Sequence, residues 1–175
     1  VSNDWLVLNQ FTIIENEHNR RPDVLVFLNG LPVGLLELKN PANEHATMRH
    51  AWNQIQTYRS QIPSVFVPNA VTVISDGTAA AMSSFTGGFE HYAPWKTIDG
   101  RDVITNRPAL EVLIKGVFDP ERFLDILRNF VVFSDEPVAD EASGQRRRAL
   151  IKRSEVPPVL GGQCCCGVND SRLGS

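Results

Sequence analysis

The sequence predicts an α/β domain with a mixed central sheet flanked by helices, and three observations predict it. Two strongly apolar segments, PDVLVFL and VGLLELK, bracket the turn residues Asn29 and Gly30. Apolar residues then recur at Met48, Trp52, Ile55 and Ile62, the spacing of one helical stripe, before Pro63. A β-branched segment follows and ends in Ser75-Asp76-Gly77, a strand running into a turn. With 175 residues and 42% hydrophobic content, the chain suits one domain with a real core.

Taken in order, residues 5–14 read as strand-like. Because this stretch begins within a few residues of Val1, the sequence reads as a piece of a longer protein. Residues 22–28 carry an unbroken apolar run after Asp23, which predicts a strand covered on both faces. Gly30 supplies the positive φ that a hairpin turn needs, and residues 33–39 return as its second strand. A helix is expected over residues 44–62, lying on the sheet and stopped by Pro63. Strands are expected over residues 67–74 and, more weakly, 78–85.

Residues 86–108 mix Gly, Pro, Trp and polar residues without a period and read as loop. Asp119 should cap a helix of about ten residues with Pro120 at its first position. That helix bears Phe123, Ile126, Leu127 and Phe130. Beyond Ser134 no periodic pattern remains, so the domain is expected over residues 1–133. Residues 134–175 read as a linker and a non-native, disordered tail.

Composition narrows the function classes. No run approaches the roughly 18 apolar residues of a membrane span, and no signal-peptide pattern opens the chain, so a cytoplasmic protein without membrane partners is expected. The net charge of −3 hides a change along the chain. Through Ala142, 11 Lys and Arg stand against 18 Asp and Glu; from Ser143 onward, 6 stand against 2. The three cysteines, Cys164, Cys165 and Cys166, are adjacent, which suits neither a disulfide framework nor a tetrahedral zinc site. His18, His45, His50 and His91 show no metal-ligand spacing.

The chemistry-bearing residues lie in the hairpin. Glu37 and Lys39 are two apart on one strand and share a face. A three-residue turn over residues 29–31 would put Asp23 opposite Glu37, whereas a slip by one residue would turn Glu37 to the other face. Two carboxylates brought together repel each other unless a cation joins them. Hard oxygen donors favour magnesium, which keeps several waters and could also use the Leu38 backbone carbonyl and a DNA phosphate. Such an ion would activate water, with Lys39 orienting that water or neutralising phosphoryl oxygens. A plain Glu37–Lys39 ion pair is the structural alternative. Charges set in such apolar strands tend to be functional or paired.

The stretch RRPDVLVFLNGLPVGLLELKNP, followed by Gln54-Ile55-Gln56-Thr57-Tyr58, closely resembles the nuclease motif and QxxxY element of the R subunits of type I restriction enzymes. NQFTI from Asn9, VISDG from Val73, Pro94-Trp95 and the run over residues 116–133 match as well. The resemblance implies a restriction-endonuclease-like fold of the PD-(D/E)xK superfamily. It implies a magnesium-dependent endonuclease acting on double-stranded DNA, with Asp23, Glu37 and Lys39 at the chemical centre. Gln54 and Tyr58, four apart on one helix flank, would support the site or contact DNA; a solvated Gln and a half-buried Tyr are the plainer alternative.

Arg20 and Arg21, beside the first hairpin strand, either touch phosphate or lie in solvent. The resemblance also implies partners, the methyltransferase and specificity subunits, and an ATP-driven motor placed C-terminally. No GxxxxGK[ST] loop occurs in this chain, so ATP would enter only through that motor. The acidic balance before the tail predicts weak DNA binding by this part alone, because DNA affinity comes chiefly from neutralised phosphates.

PPVLGGQCCCG, starting at Pro157, can be back-translated so that a shifted frame reads HQYWAVNAAV, which resembles the family's lead into its motor. A frameshift before Pro157 is therefore the expectation for the tail. Two other function classes stay open on the sequence: a catalytically silent module docking DNA or partner subunits, and a repair nuclease of the same fold.

Overall fold

A computed structural model describes residues 2–40, 42, 47–129, 131–139 and 146–154. Its centre is the hairpin of β4 (Val24–Leu28) and β5 (Leu31–Leu38). Asn29 at φ 51° and Gly30 at φ 81° both take the left-handed conformation, so the connection is a two-residue turn rather than the three-residue turn expected. A bulge corrects the difference. Leu28 pairs with Leu31 and Phe27 with Pro32, but Val26 pairs with Gly34, leaving Val33 as an extra residue in β5. Pro32 has no N–H to give a ladder, which makes this a natural place to interrupt it. Beyond the bulge Val24 faces Leu36, and the next step sets Asp23 opposite Glu37.

The main sheet has the order β1-β4-β5-β6-β7, with β1 at Trp5–Asn9, β6 at Val71–Ser75 and β7 at Ala80–Ser83. The β5–β6 pair is parallel and the other pairs are antiparallel. Between β5 and β6 the chain passes through α1 (Met48–Gln61). Thr47 caps this helix: its hydroxyl accepts from the His50 N–H, and the His50 side chain reaches back to the Thr47 N–H.

The two faces of the sheet are buried by different helices, which is why β4 and β5 read as nearly continuous apolar runs. On one face Leu25, Leu35 and Ile74 pack against Ile55, Tyr58 and Ile62 of α1 and its end. On the other, Val26, Leu36 and Val73 pack against Leu113 and Val117 of α2 (Ala109–Val117) and Phe123 and Ile126 of α3 (Pro120–Asn129). The result is the expected mixed sheet flanked by helices. Asp119 caps α3 as expected, its carboxylate accepting the Arg122 N–H at 3.1 Å.

Several element boundaries differ from the sequence reading. The strand-like stretch 5–14 is broken at Gln10, whose φ of 52° ends β1. A small separate hairpin follows, β2 (Ile13–Glu15) paired with β3 (His18–Arg20) through Asn16 and Glu17, both at positive φ. β6 begins at Val71, not at residue 67, because Pro63 opens a 3-10 turn, Pro63–Phe66, that buries Val65 and Phe66 first. α2 was not expected at all. Its side chains at Leu110, Leu113 and Val117 have helical spacing, but Pro108 at its start offers no side-chain cap. Gly116 sits within it because the loop packs close: a Cβ there would lie 2.2 Å from Trp95 Nε1.

At the far end, β8 (Val131–Ala139) and β9 (Arg146–Ser154) pair antiparallel in a sheet of their own. The expected boundary after residue 133 therefore falls inside a strand, and regular structure extends past Ser134. Backbone pairing needs no apolar period, which is why the pattern gave no sign of it. The Pro157–Gly167 stretch, with its expected frameshift, lies outside the described residues.

Candidate active site

The alternation of β5 decides which side chains reach the site. Leu35, Glu37 and Lys39 project toward α1, while Leu36 and Leu38 turn to the opposite helices, and Asp23 joins the α1 face through the corrected register. Glu37 is only 3% exposed. Its Oε1 accepts from the Lys39 ammonium at 2.7 Å, whereas its Oε2 is buried without a hydrogen-bond partner.

Asp23 is held from two sides. Oδ2 accepts the Leu38 N–H at 2.8 Å, and Oδ1 accepts from Gln10 Nε2 at 2.7 Å. Because N–H and C=O of one strand residue point the same way, the Leu38 carbonyl lies on the Asp23 side of β5. Lys39 is fixed at its backbone by donating to the Ser75 carbonyl at 2.8 Å, so β6 anchors the end of β5.

Burial pushes the Glu37 carboxyl above its ordinary pKa of 4.5. The Lys39 hydrogen bond and charge and the nearby Tyr58 hydroxyl oppose that push, and the Asp23 charge adds to it. Tyr58 is also raised, first by burial and then by the Glu37 charge, while the Gln54 side chain pulls it back. Both QxxxY residues thus stand on the α1 flank that faces the carboxylates. The Tyr58 hydroxyl donates to the Arg21 carbonyl at 3.4 Å, tying α1 to the segment that enters β4.

Arg20 and Arg21 separate. Arg20 Nε donates to Gln61 Oε1 at the end of α1, which places it away from Asp23. Arg21 is exposed, and its guanidinium donates to Gln10 Oε1 at 3.1 Å, one residue's length from the Asp23 carboxylate. Gln10 and Ser75 are the contributors that the sequence reading missed. Both lie in stretches that carried the resemblance, NQFTI and VISDG, but no residue pattern marks a contact that spans 13 or more positions.

Among the described residues no group of three or more His, Cys, Asp or Glu comes together. The donor set is therefore two carboxylates and a backbone carbonyl, with one buried carboxylate oxygen lacking a partner. That set fits a hard cation that keeps much of its water, and not a closed all-protein cage. Among the described residues no helix is long and apolar enough to cross a membrane.

Residues 1–91, more than half of the chain and all of the five-stranded sheet, match the family model described as the type I restriction enzyme R protein N terminus. The chain is 36% identical over 141 residues to the type I restriction enzyme HindI endonuclease subunit of Haemophilus influenzae, covering 78% of this chain and 13% of that protein. It is 27% identical over 156 residues to the putative type I restriction enzyme MjaIXP endonuclease subunit of Methanocaldococcus jannaschii, covering 78% and 15%. It thus spans a small part of each relative's length. A family match over the sheet that holds Asp23, Glu37 and Lys39 leads to one conclusion: this chain belongs to the family of type I restriction enzyme R protein N-terminal domains.

Proposed function

We propose that the chain is the DNA-cleaving domain of a type I restriction enzyme R subunit, a magnesium-dependent endonuclease of PD-(D/E)xK type. The observation that carries this reading is Glu37 Oε2, a buried carboxylate oxygen without a hydrogen-bond partner, on the same sheet face as Asp23. Burying an ion costs several kcal/mol in practice, and an orphaned oxygen adds to the cost. A bound cation removes both penalties. Asp23, Glu37 and the Leu38 carbonyl would hold magnesium, which when bound activates water and stabilises charge growing on phosphate.

The other residues supply position and charge. Lys39 keeps its ammonium on Glu37 with a quarter of the side chain exposed, so it meets both the carboxylate and an approaching phosphate. Tyr58 and Gln54 stabilise the α1 side of the site. Arg21, which is exposed, would contact the DNA backbone, and Arg20 would act through its bond to α1. The acidic balance of the chain favours delivery of double-stranded DNA by the methyltransferase and specificity subunits and by an ATP-driven motor elsewhere in the R subunit. The setting is the bacterial or archaeal cytoplasm.

The test is plasmid nicking and cleavage by the complete enzyme carrying Asp23→Ala, with magnesium present and with chelator. Loss of cleavage with an unchanged melting temperature is expected. Cleavage at the wild-type rate rejects the reading in favour of a catalytically silent docking module.

A further inference from the structure

Gln10 takes a backbone conformation that its side chain does not favour. Its φ is 52°, in the left-handed region. The other non-glycine residues there, Asn16, Glu17 and Asn29, sit in two-residue hairpin turns, where that conformation is required. Gln10 follows β1 instead, and its N–H donates to the Asp23 carbonyl at 3.0 Å, extending the β1–β4 ladder by one step. Strain held outside a tight turn points to a constraint that the side chain satisfies.

That side chain spans two charged groups. Its Nε2 donates to Asp23 Oδ1 at 2.7 Å, and its Oε1 accepts from the Arg21 guanidinium at 3.1 Å. A carboxylate can only accept and a guanidinium can only donate, so the amide has one orientation and cannot flip. With Leu38 N–H on Oδ2, both Asp23 oxygens are pinned by donors from neighbouring strands. Each oxygen keeps a second lone pair, and those lone pairs are what the two donors aim.

We propose that Gln10 is a positioning residue of the metal site: its amide, locked by Arg21, sets the direction in which Asp23 presents its carboxylate to a divalent cation. The proposal rests on the metal-dependent reading of the site. Groups that orient a metal ligand are worth roughly 10- to 100-fold in metal affinity when removed. Gln10 is exposed, so its removal leaves no cavity.

The experiment is a titration of Mn2+ with the full chain, read by electron paramagnetic resonance, alongside thermal unfolding without metal. Gln10→Gly deletes the amide and relieves the positive φ; Gln10→Ala deletes the amide and keeps the strain. The expected result is Mn2+ affinity about tenfold weaker in both variants. The melting temperature of Gln10→Gly should equal or exceed that of wild type. Wild-type Mn2+ affinity in Gln10→Gly overturns the proposal and leaves the metal reading intact, as does loss of fold in both variants, which would make Gln10 structural. Undiminished Mn2+ binding by an Asp23→Ala control, or no binding by wild type, overturns the metal reading and this proposal with it.

Discussion

The Leu38 N–H donates to Asp23 Oδ2 at 2.8 Å, a bond from the middle of the Glu37-Leu38-Lys39 triplet to the carboxylate on the neighbouring strand. Its donor belongs to a residue whose side chain packs against the opposite helices. The backbone of β5 therefore aims Asp23, while the side chains on either side of Leu38 supply the acid and the ammonium. A register slip of one residue would break this bond and turn Glu37 away together. The bulge at Val33 is what prevents that slip after a two-residue turn.

A metal-free site of this kind is a source of instability, and its pH dependence has a definite sign. Glu37 has a folded pKa above the ordinary 4.5, so the folded state holds its proton more tightly than the unfolded state. Stability then falls as pH rises from about 4.5 through the raised value, and the loss is complete above it. Glu37→Gln should raise the metal-free melting temperature by about 2–4 °C at pH 8, near 1 kcal/mol for a domain of this size. The gain should vanish toward pH 4, where Glu37 is protonated in both states. Calorimetric scans of both proteins in chelator across that range check it, and a variant less stable at pH 8 contradicts it.

Much of this site was legible because β4 and β5 are apolar on both faces, which makes Asp23, Glu37 and Lys39 conspicuous. The register was reached through a turn one residue too long, and the bulge at Val33 cancelled the error. Local pattern could not show that bulge, since it depends on Pro32 having no N–H beside a left-handed Asn29-Gly30 pair. α2 was hidden by a start without a cap and by Gly116, whose reason is the distant Trp95. The Gln10–Asp23 clamp joins strands adjacent in the sheet but separated in sequence by two small strands, so it became visible only in the fold.

Lys39 should prove to be a transition-state group. Its ammonium bonds Glu37 Oε1, leaving Oε2 to a cation, so Lys39→Ala should cut the cleavage rate by a hundredfold or so while magnesium affinity largely survives. Lys39→Arg should lose activity too, because a planar guanidinium cannot take the compact position of an ammonium. Rates and magnesium affinities for both variants in the complete enzyme decide the matter. Wild-type rate with arginine would reduce Lys39 to a bare charge, and with alanine would remove it from the chemistry.

The β8–β9 pair forms a sheet separate from the five-stranded one, and every group placed in the carboxylate site above lies within residues 10–75. Truncation after Ala139 should therefore shift the melting temperature by no more than about 2–4 °C, the equivalent of about 1 kcal/mol. It should also leave Mn2+ affinity unchanged. A larger fall in thermal unfolding would show that the segment past Ala139 belongs to the domain's core.

In the proposed site, Asp23 and Glu37 jointly hold a divalent cation where β4 begins and β5 ends. The most direct measurement is diffraction from crystals soaked in Mn2+ at the manganese absorption edge, for the wild-type chain and for Glu37→Gln. The expected result is an anomalous peak bonded to Glu37 Oε2 and to the Asp23 carboxylate in the wild type, and no peak there in the variant. A peak that persists in Glu37→Gln, or a saturated wild-type crystal whose manganese lies away from both carboxylates, would contradict it.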